Sequence, residues 1–166
     1  MNPSKKLKIL WAVDAFDELR DELKKEVKIL QGLARKTQIS VDPIYVLSPA
    51  ELGLSIEFTP PWTEVYTPSA KKALAQRVNE TSIPGLHEPQ VLVQSLPSLR
   101  RSVRLLTQFA SMNSYDLIIA GSHGRKGLKR MVMGSFAEEL LLQSEVPVLI
   151  VGRNSNDWNE EASRIL

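Results

Sequence analysis

Short apolar runs that alternate with helical patterns constrain the fold of this chain more than any other feature of its sequence. The runs lack the polar and apolar alternation of a strand with one solvated face, which favours strands buried on both faces of a parallel sheet. Because strands and helices alternate, the sequence predicts a single α/β domain with an open sheet and helices on both faces. The predicted strands are Leu7–Val13, Ile39–Leu47, Pro89–Ser95, Tyr115–Ala120 and Val146–Val151.

The segments between these runs have apolar residues spaced by three and four, as in amphipathic helices. The predicted helices are Asp17–Lys36, Ser69–Glu80, Ser98–Asn113 and Ser135–Ser144. Asp17 and Ser98 are of the residue types that cap helix N-termini, and each stands at the start of its helix. Pro43, inside the second strand, predicts an edge position or a bulge there.

Two further stretches complete the predicted organisation of the chain. The proline-rich stretch Ser48–Pro68 is predicted to be a long irregular connection. The domain is expected to span residues 1–152, with residues 153–166 as a polar tail that has a weakly amphipathic end.

Composition excludes several classes of function. The absence of cysteine rules out disulfides, thiolate metal sites and cysteine nucleophiles. The only histidines are His87 and His123, too few for an all-histidine metal site, and His87 is expected to be an exposed loop residue. No serine–histidine–acid pattern can be placed on the predicted elements. The net charge of +2 does not argue for nucleic-acid binding, and no apolar run is long enough to cross a membrane, so a cytoplasmic protein is expected by default.

A glycine-rich loop, within the stretch LIIAGSHGRKGLKRMVMGS, follows the fourth strand. Gly121 and Gly124 are separated by two residues, and nine residues then precede Gly134 and Ser135 at the start of a helix. Exposed backbone amides at such a helix start favour an anion such as phosphate. The same residues are also consistent with a simple turn, in which Ser135 and Glu138 form a capping box.

This loop, together with the SEVPVLIV that follows it and the early ILWAVDAFDE, resembles the universal stress protein family. The glycine spacing is similar to the ATP-binding pattern of that family. The resemblance implies a five-stranded parallel sheet of order 3-2-1-4-5 with ATP, alone or with Mg²⁺, at the switch between strands one and four. It also implies a homodimer formed through the last strand, Val146–Val151, and protein partners that remain unknown.

The resemblance assigns a nucleotide-binding role to residues at three places in the sequence. The backbone at Ala12 and Val13 and the carboxylate of Asp14 would meet adenine and ribose, and Val46 would pack on adenine. Ala120 and Gly121 would close the adenosine pocket. The residues expected around the phosphates are His123, Gly124, Gly134, Ser135 and Phe136.

Three classes of function are consistent with the sequence. The first is an ATP-binding regulatory protein of the stress response, which acts as a nucleotide-dependent switch or adaptor. The second is a nucleotide-free dimeric interaction module, which Phe16 and the proline-rich connection favour because both lie near the expected pocket. The third is an enzyme on the same fold. No catalytic residue is assigned, and slow ATP hydrolysis is the most that the sequence suggests.

Overall fold

The structure, a computed structural model, describes residues 6–16, 20–49, 62–122 and 134–152. The strands are β1 (Leu7–Ala12), β2 (Ile39–Leu47), β3 (Gln90–Val93), β4 (Leu117–Gly121) and β5 (Val148–Val151). The helices within the described residues are α1 (Arg20–Ala34), α2 (Trp62–Asn79), α3 (Leu99–Met112) and α4 (Ser135–Gln143). All strand pairs are parallel and the sheet order is β3-β2-β1-β4-β5, which confirms the α/β class and the order predicted above.

Two hydrophobic clusters cover the two faces of the sheet. Helices α1 and α2 pack on one face, where Leu30 and Leu74 belong to the same buried cluster as Trp11 of β1. Helices α3 and α4 pack on the other face, where Leu106 and Leu140 belong to the same buried cluster as Leu10 of β1. The central strand β1 contributes to both clusters because successive side chains point to opposite faces. The sequence of β1 therefore lacks polar alternation because both faces of the strand are buried.

Helix α2 begins earlier than its sequence indicates. The sequence predicts a connection of low regularity over Ser48–Pro68, with at most a short helical turn at its start, but residues 62–68 are helical and Pro68 lies inside the helix. Trp62 and Tyr66 stand one helical turn apart, and both pack against the α1/α2 cluster. Partial burial of two aromatic side chains stabilises this turn and offsets the backbone hydrogen bond that proline removes. The central part of the stretch lies outside the described residues.

The prediction of an edge position at Pro43 is wrong, because β2 lies between β3 and β1. The ladder on the β3 side is nevertheless irregular there. Val41 pairs with Leu86, and the next pair is Ile44 with Gln90. Between these two pairs the chain moves three residues along β2 but four residues along the segment that leads into β3. This extra residue matches the definition of a bulge, and the ladder to β1 runs through Pro43 without a break. Proline is tolerated because its missing N–H falls at the irregular side.

The N-termini of α3 and α4 differ in their capping. Ser98 caps α3, since its hydroxyl accepts a hydrogen bond from the Arg101 amide at 3.4 Å, and this confirms one predicted cap. The N-cap of α4 is Gly134, which offers no side-chain hydrogen bond. Ser135 is therefore the first helical residue, and the Glu138 amide bonds to the Gly134 carbonyl. The capping box predicted for Ser135 is wrong, because that motif needs serine at the cap itself. The other predicted cap, Asp17, lies outside the described residues.

Gly85 marks a close approach between the segment before β3 and the start of β2. Its φ is +75°, a conformation that L side chains rarely adopt, and an added Cβ would overlap the carbonyl oxygen of Ile39. The Gly85 carbonyl accepts a hydrogen bond of 2.9 Å from the Val41 amide. Glycine is required here by both the backbone conformation and the available space.

We expect Gly85→Ala to destabilise the fold by roughly 2 kcal/mol or more, because strain and overlap add. Gly32→Ala in α1 is the matched control, since an added Cβ there meets nothing within 4 Å. Alanine in a helix interior is expected to stabilise by about 0.5–1 kcal/mol. Denaturant unfolding followed by circular dichroism measures both. Equal effects of the two substitutions would contradict the close approach at Gly85.

We expect Ser98→Ala to lower the free energy of unfolding by about 1 kcal/mol through loss of a cap. Ser135→Ala should change it by less than about 0.5 kcal/mol, because Ser135 is an exposed first helical residue. The same unfolding assay compares the two variants. If Ser135→Ala lowers the free energy of unfolding as much as Ser98→Ala does, Ser135 acts as a cap and the assignment of Gly134 as the N-cap is wrong.

Candidate functional site

The carboxyl ends of β1 and β4 lie side by side in the centre of the sheet. Ala12 and Ala120 are register partners, Asp14 follows β1 and Gly121 ends β4. The chain leaves β1 toward β2 on one side, and β4 stands on the other side. The strand order therefore reverses between them, which in open α/β sheets is where ligands bind.

Small apolar side chains form a surface, here called the floor, near the carboxyl ends of these strands. Ala12, Val46 and Ala120 come from three adjacent strands and belong to one hydrophobic cluster, on the face covered by α3 and α4. Phe136 of α4 is partly buried against the same cluster. Four of the residues predicted to contact a nucleotide are thus brought together.

Val13 belongs to the cluster on the opposite face, and its amide donates a 2.9 Å hydrogen bond to the Ile44 carbonyl.

The carboxylate of Asp14 is partly exposed at the end of β1. Its Oδ1 accepts a 2.9 Å hydrogen bond from the amide of Phe16, which folds the chain into a local turn. Within the described part of the chain no group bonds to Oδ2. An ionised carboxylate only accepts hydrogen bonds, so Oδ2 is suited to a hydroxyl donor.

The base of the glycine loop is closed by backbone hydrogen bonds. The Gly134 amide donates to the Ser122 carbonyl at 3.2 Å, and the Ser122 amide donates to the Val151 carbonyl at 2.9 Å. The start of α4 is therefore joined to the ends of β4 and β5. Gly134 is buried and Ser135 is exposed beside it. The remaining predicted phosphate residues, His123 and Gly124, lie outside the described residues.

Two side chains that the sequence did not assign to the site also lie at its border. Arg77 of α2 donates a hydrogen bond of 3.1 Å from Nη1 to the backbone carbonyl of Asp14. The ring of Phe16 meets the ring of Tyr45 edge to face, with centroids 5.8 Å apart. Both contacts join residues far apart in sequence, and no local pattern signals them. Together they hold the turn after β1 in place.

No group of histidine, cysteine or acidic side chains suited to a metal ion is found in residues 6–16, 20–49, 62–122 and 134–152. The same ranges contain no helix that is long and apolar enough to span a membrane.

Comparison with known proteins shows a consistent relationship. The chain is 28% identical over 137 residues to universal stress protein MJ0577 of Methanocaldococcus jannaschii, which covers 81% of this chain and 82% of that protein. The solved structure of MJ0577 matches with a TM-score of 0.65 at 23% identity, over 90% of this chain and 98% of that one.

A universal stress protein from Archaeoglobus fulgidus, solved in complex with dAMP, matches with a TM-score of 0.55 at 16% identity, over 87% of this chain and 97% of that one. Another universal stress protein, solved in complex with cAMP, matches with a TM-score of 0.53 at 16% identity, over 89% and 97%. The structural matches show a shared fold. The family model of the universal stress protein family matches residues 7–152, and the chain therefore belongs to that family.

Proposed function

We propose that this protein binds an adenine nucleotide at the carboxyl edge of β1 and β4 and acts as a nucleotide-dependent regulatory switch in a stress response. The observation that supports this most directly is the position of the α4 N-terminus. The hydrogen bond from Gly134 to Ser122 keeps that end of the helix beside the carboxyl end of β4. Ala120 of the same strand is paired with Ala12, two residues before Asp14.

The phosphate end of the proposed nucleotide would lie at α4. The first amides of a helix have no partner within the helix, and the dipole adds positive potential there. Gly134 has no side chain that competes for these amides, and the Ser135 hydroxyl is exposed next to them. This supports an anionic group at that position. ATP is the proposed nucleotide, alone or with Mg²⁺.

The nucleoside end would lie over β1, β2 and β4. Asp14 Oδ2 is a suitable acceptor for a ribose hydroxyl, and the floor of Ala12, Val46 and Ala120 offers an apolar surface to adenine. Complexes of two family members with adenine nucleotides, dAMP in one and cAMP in the other, support the same class of ligand.

The position of Phe16 bears on the nucleotide-free alternative. Its ring contacts Tyr45, which belongs to the α1/α2 face, whereas Val46 belongs to the α3/α4 face. The contact therefore directs Phe16 toward the face opposite the proposed adenine surface. This favours the nucleotide-binding function over the nucleotide-free module.

We expect Asp14→Asn to weaken ATP binding by roughly 10- to 100-fold. An asparagine keeps a carbonyl oxygen for the Phe16 amide but replaces the second acceptor with an amide donor. Hydrogen bonds to charged groups contribute about 1.5–3 kcal/mol, and each 1.4 kcal/mol is tenfold in affinity. Isothermal titration calorimetry of nucleotide-free protein, with and without Mg²⁺, measures the change.

Glu80→Gln is the control for this titration, because Glu80 is an exposed acid just after α2. It should leave the affinity unchanged. Mass spectrometry of small molecules released from denatured wild-type protein provides an independent test of the ligand. A folded wild type that releases no nucleotide and binds none at millimolar ATP would reject the proposal.

We also propose that the protein forms a homodimer through β5. This strand lies at the edge of the sheet and, in the described part of the chain, pairs with β4 alone. Leu149 of β5 is 37% exposed, although it is a large apolar residue. An uncovered apolar edge strand favours pairing with another chain. The tail of residues 153–166, which follows β5, lies outside the described residues.

We expect Leu149→Lys to raise the dimer dissociation constant by at least about tenfold, since a buried unpaired charge opposes association. Val65→Lys on α2 is the control, because Val65 is 63% exposed and lies on a different element. Analytical ultracentrifugation over a concentration series measures both. A monomeric wild type, or an equal effect of the two substitutions, would contradict the β5 interface.

A further inference from the structure

A polar cluster lies at the end of the sheet opposite the proposed nucleotide site, where β1 and β2 begin. Ser40 and Asp42 are two residues apart on β2, so their side chains share the face covered by α3 and α4. They are only 7% and 6% exposed, respectively. Lys8 of β1 is the register partner of Ser40. Buried polar side chains at adjacent positions require mutual partners, and the structure provides them.

His87 connects these two residues. Its Nδ1 lies 2.8 Å from Asp42 Oδ1, and its Nε2 lies 3.4 Å from Ser40 Oγ. An ionised carboxylate only accepts, so Nδ1 is the nitrogen that donates the hydrogen to Asp42. In the neutral ring Nε2 is then an acceptor directed at the serine hydroxyl. The order of contacts is serine, histidine and aspartate, which is the arrangement that activates a nucleophilic hydroxyl.

Tyr115 fixes the aspartate from the other side. Its hydroxyl donates a 2.9 Å hydrogen bond to Asp42 Oδ2. Burial raises the pKa of Tyr115 well above its usual value, and the hydrogen bond to Asp42 and the charge of that carboxylate act in the same direction. The hydroxyl therefore remains a donor at neutral pH. With both oxygens of Asp42 occupied, the carboxylate holds the imidazole in one orientation.

The same face also contains a positive charge. The ammonium group of Lys8 lies 4.4 Å from the centre of the Tyr115 ring and donates a 2.8 Å hydrogen bond to the Asn113 carbonyl. These two contacts hold the ammonium beside the ring that donates to Asp42. The cluster thus combines a nucleophile, a base and an orienting acid, with a cation on the same face of the sheet.

We propose that Ser40, His87 and Asp42 form a second site, at which Ser40 is acylated by small activated esters and the acyl group is then released to water. The Ser40 Oγ would attack the ester carbonyl while its proton passes to His87 Nε2. The alcohol then leaves with that proton. Water, deprotonated by His87, attacks the acyl-serine and returns the hydroxyl and a carboxylic acid. Ester and water therefore yield acid and alcohol with no further reactant.

Burial limits the acyl group. Ser40 is nearly buried, whereas the His87 side chain is 49% exposed, so a substrate reaches the hydroxyl from the side of the imidazole. Because Ser40 is nearly buried, we expect only a short acyl group, of about the size of acetyl, to react there. The Ser40–His87 distance of 3.4 Å is longer than a strong hydrogen bond, and catalytic hydrogen bonds are often this long before substrate binds.

The test uses the full chain and p-nitrophenyl acetate as the probe. We expect nitrophenolate release with a burst, together with one acetyl group located at Ser40 by peptide mass spectrometry. Ser40→Ala should abolish that adduct, and His87→Gln should slow acylation by at least about 100-fold. Asp42→Asn keeps an acceptor for Tyr115 but changes the partner of Nδ1, so it should slow acylation in a folded protein.

Ser82→Ala is the matched control, since Ser82 is an exposed serine in the segment before His87. It should retain the wild-type rate and adduct. Circular dichroism verifies the fold of each variant, and Ser40→Ala and His87→Gln are close in size to the residues they replace. A purely structural cluster predicts the same rate in every folded variant. Acetylation of His87 or lysines instead of Ser40, or an unchanged rate in folded Ser40→Ala, would overturn the proposal.

Discussion

The central position of β1 is the constraint on which both ends of this molecule depend. Its parallel pairing with β4 places Ala12 beside Ala120 and brings Asp14 to the edge where β4 ends. Its pairing with β2 places Lys8 beside Ser40 at the opposite end. The polar region at Asp14 and the polar region at Lys8 and Ser40 thus lie at opposite ends of β1. A shift of one residue in either ladder would turn the β1 side chains to the wrong face.

Packing on the two faces of β1 explains why this register is stable. Ile9 and Trp11 are buried under α1 and α2, and Leu10 and Ala12 are buried under α3 and α4. The indole nitrogen of Trp11 also donates a hydrogen bond to the buried carboxylate of Glu26 on α1. That bond satisfies the single donor of the indole and fixes the position of α1 relative to the strand. The contacts that form the core therefore also fix the register of β1, and with it the residues at both ends of the strand.

The two proposed sites use the sheet in different ways. The nucleotide site relies on backbone amides at the start of α4 and on small apolar side chains near the strand ends. It therefore depends on close approach of the ligand to the backbone and not on reactive side chains. The Ser40 site relies on side chains that point from one face of β2 and meet a histidine from the segment before β3. Gly85, two residues before His87, allows that segment to lie against β2. A local backbone requirement thus supports the position of the imidazole.

Several structural features were not predictable because their causes are not local. The helical start at Trp62 depends on core contacts of two aromatic rings, and the bulge opposite Pro43 depends on how the segment before β3 approaches β2. The capping box at Ser135 matched a sequence pattern, but the chain enters α4 one residue earlier. His87 is an exposed loop residue, as the sequence predicts, but its partners were not predictable. Its contacts span more than forty positions, and no spacing rule identifies them.

The sequence by itself determined the elements and their class, because strands buried on both faces and amphipathic helices have distinct periodicities. The glycine spacing and the acid after β1 also identified the family from sequence, which the family model then confirmed. Only the tertiary structure decided which side chains meet, as with Phe16 and Tyr45 or with Ser40, His87 and Asp42. The reason is that periodicity fixes the face on which a residue lies, whereas contact depends on register and on the path of the chain between elements.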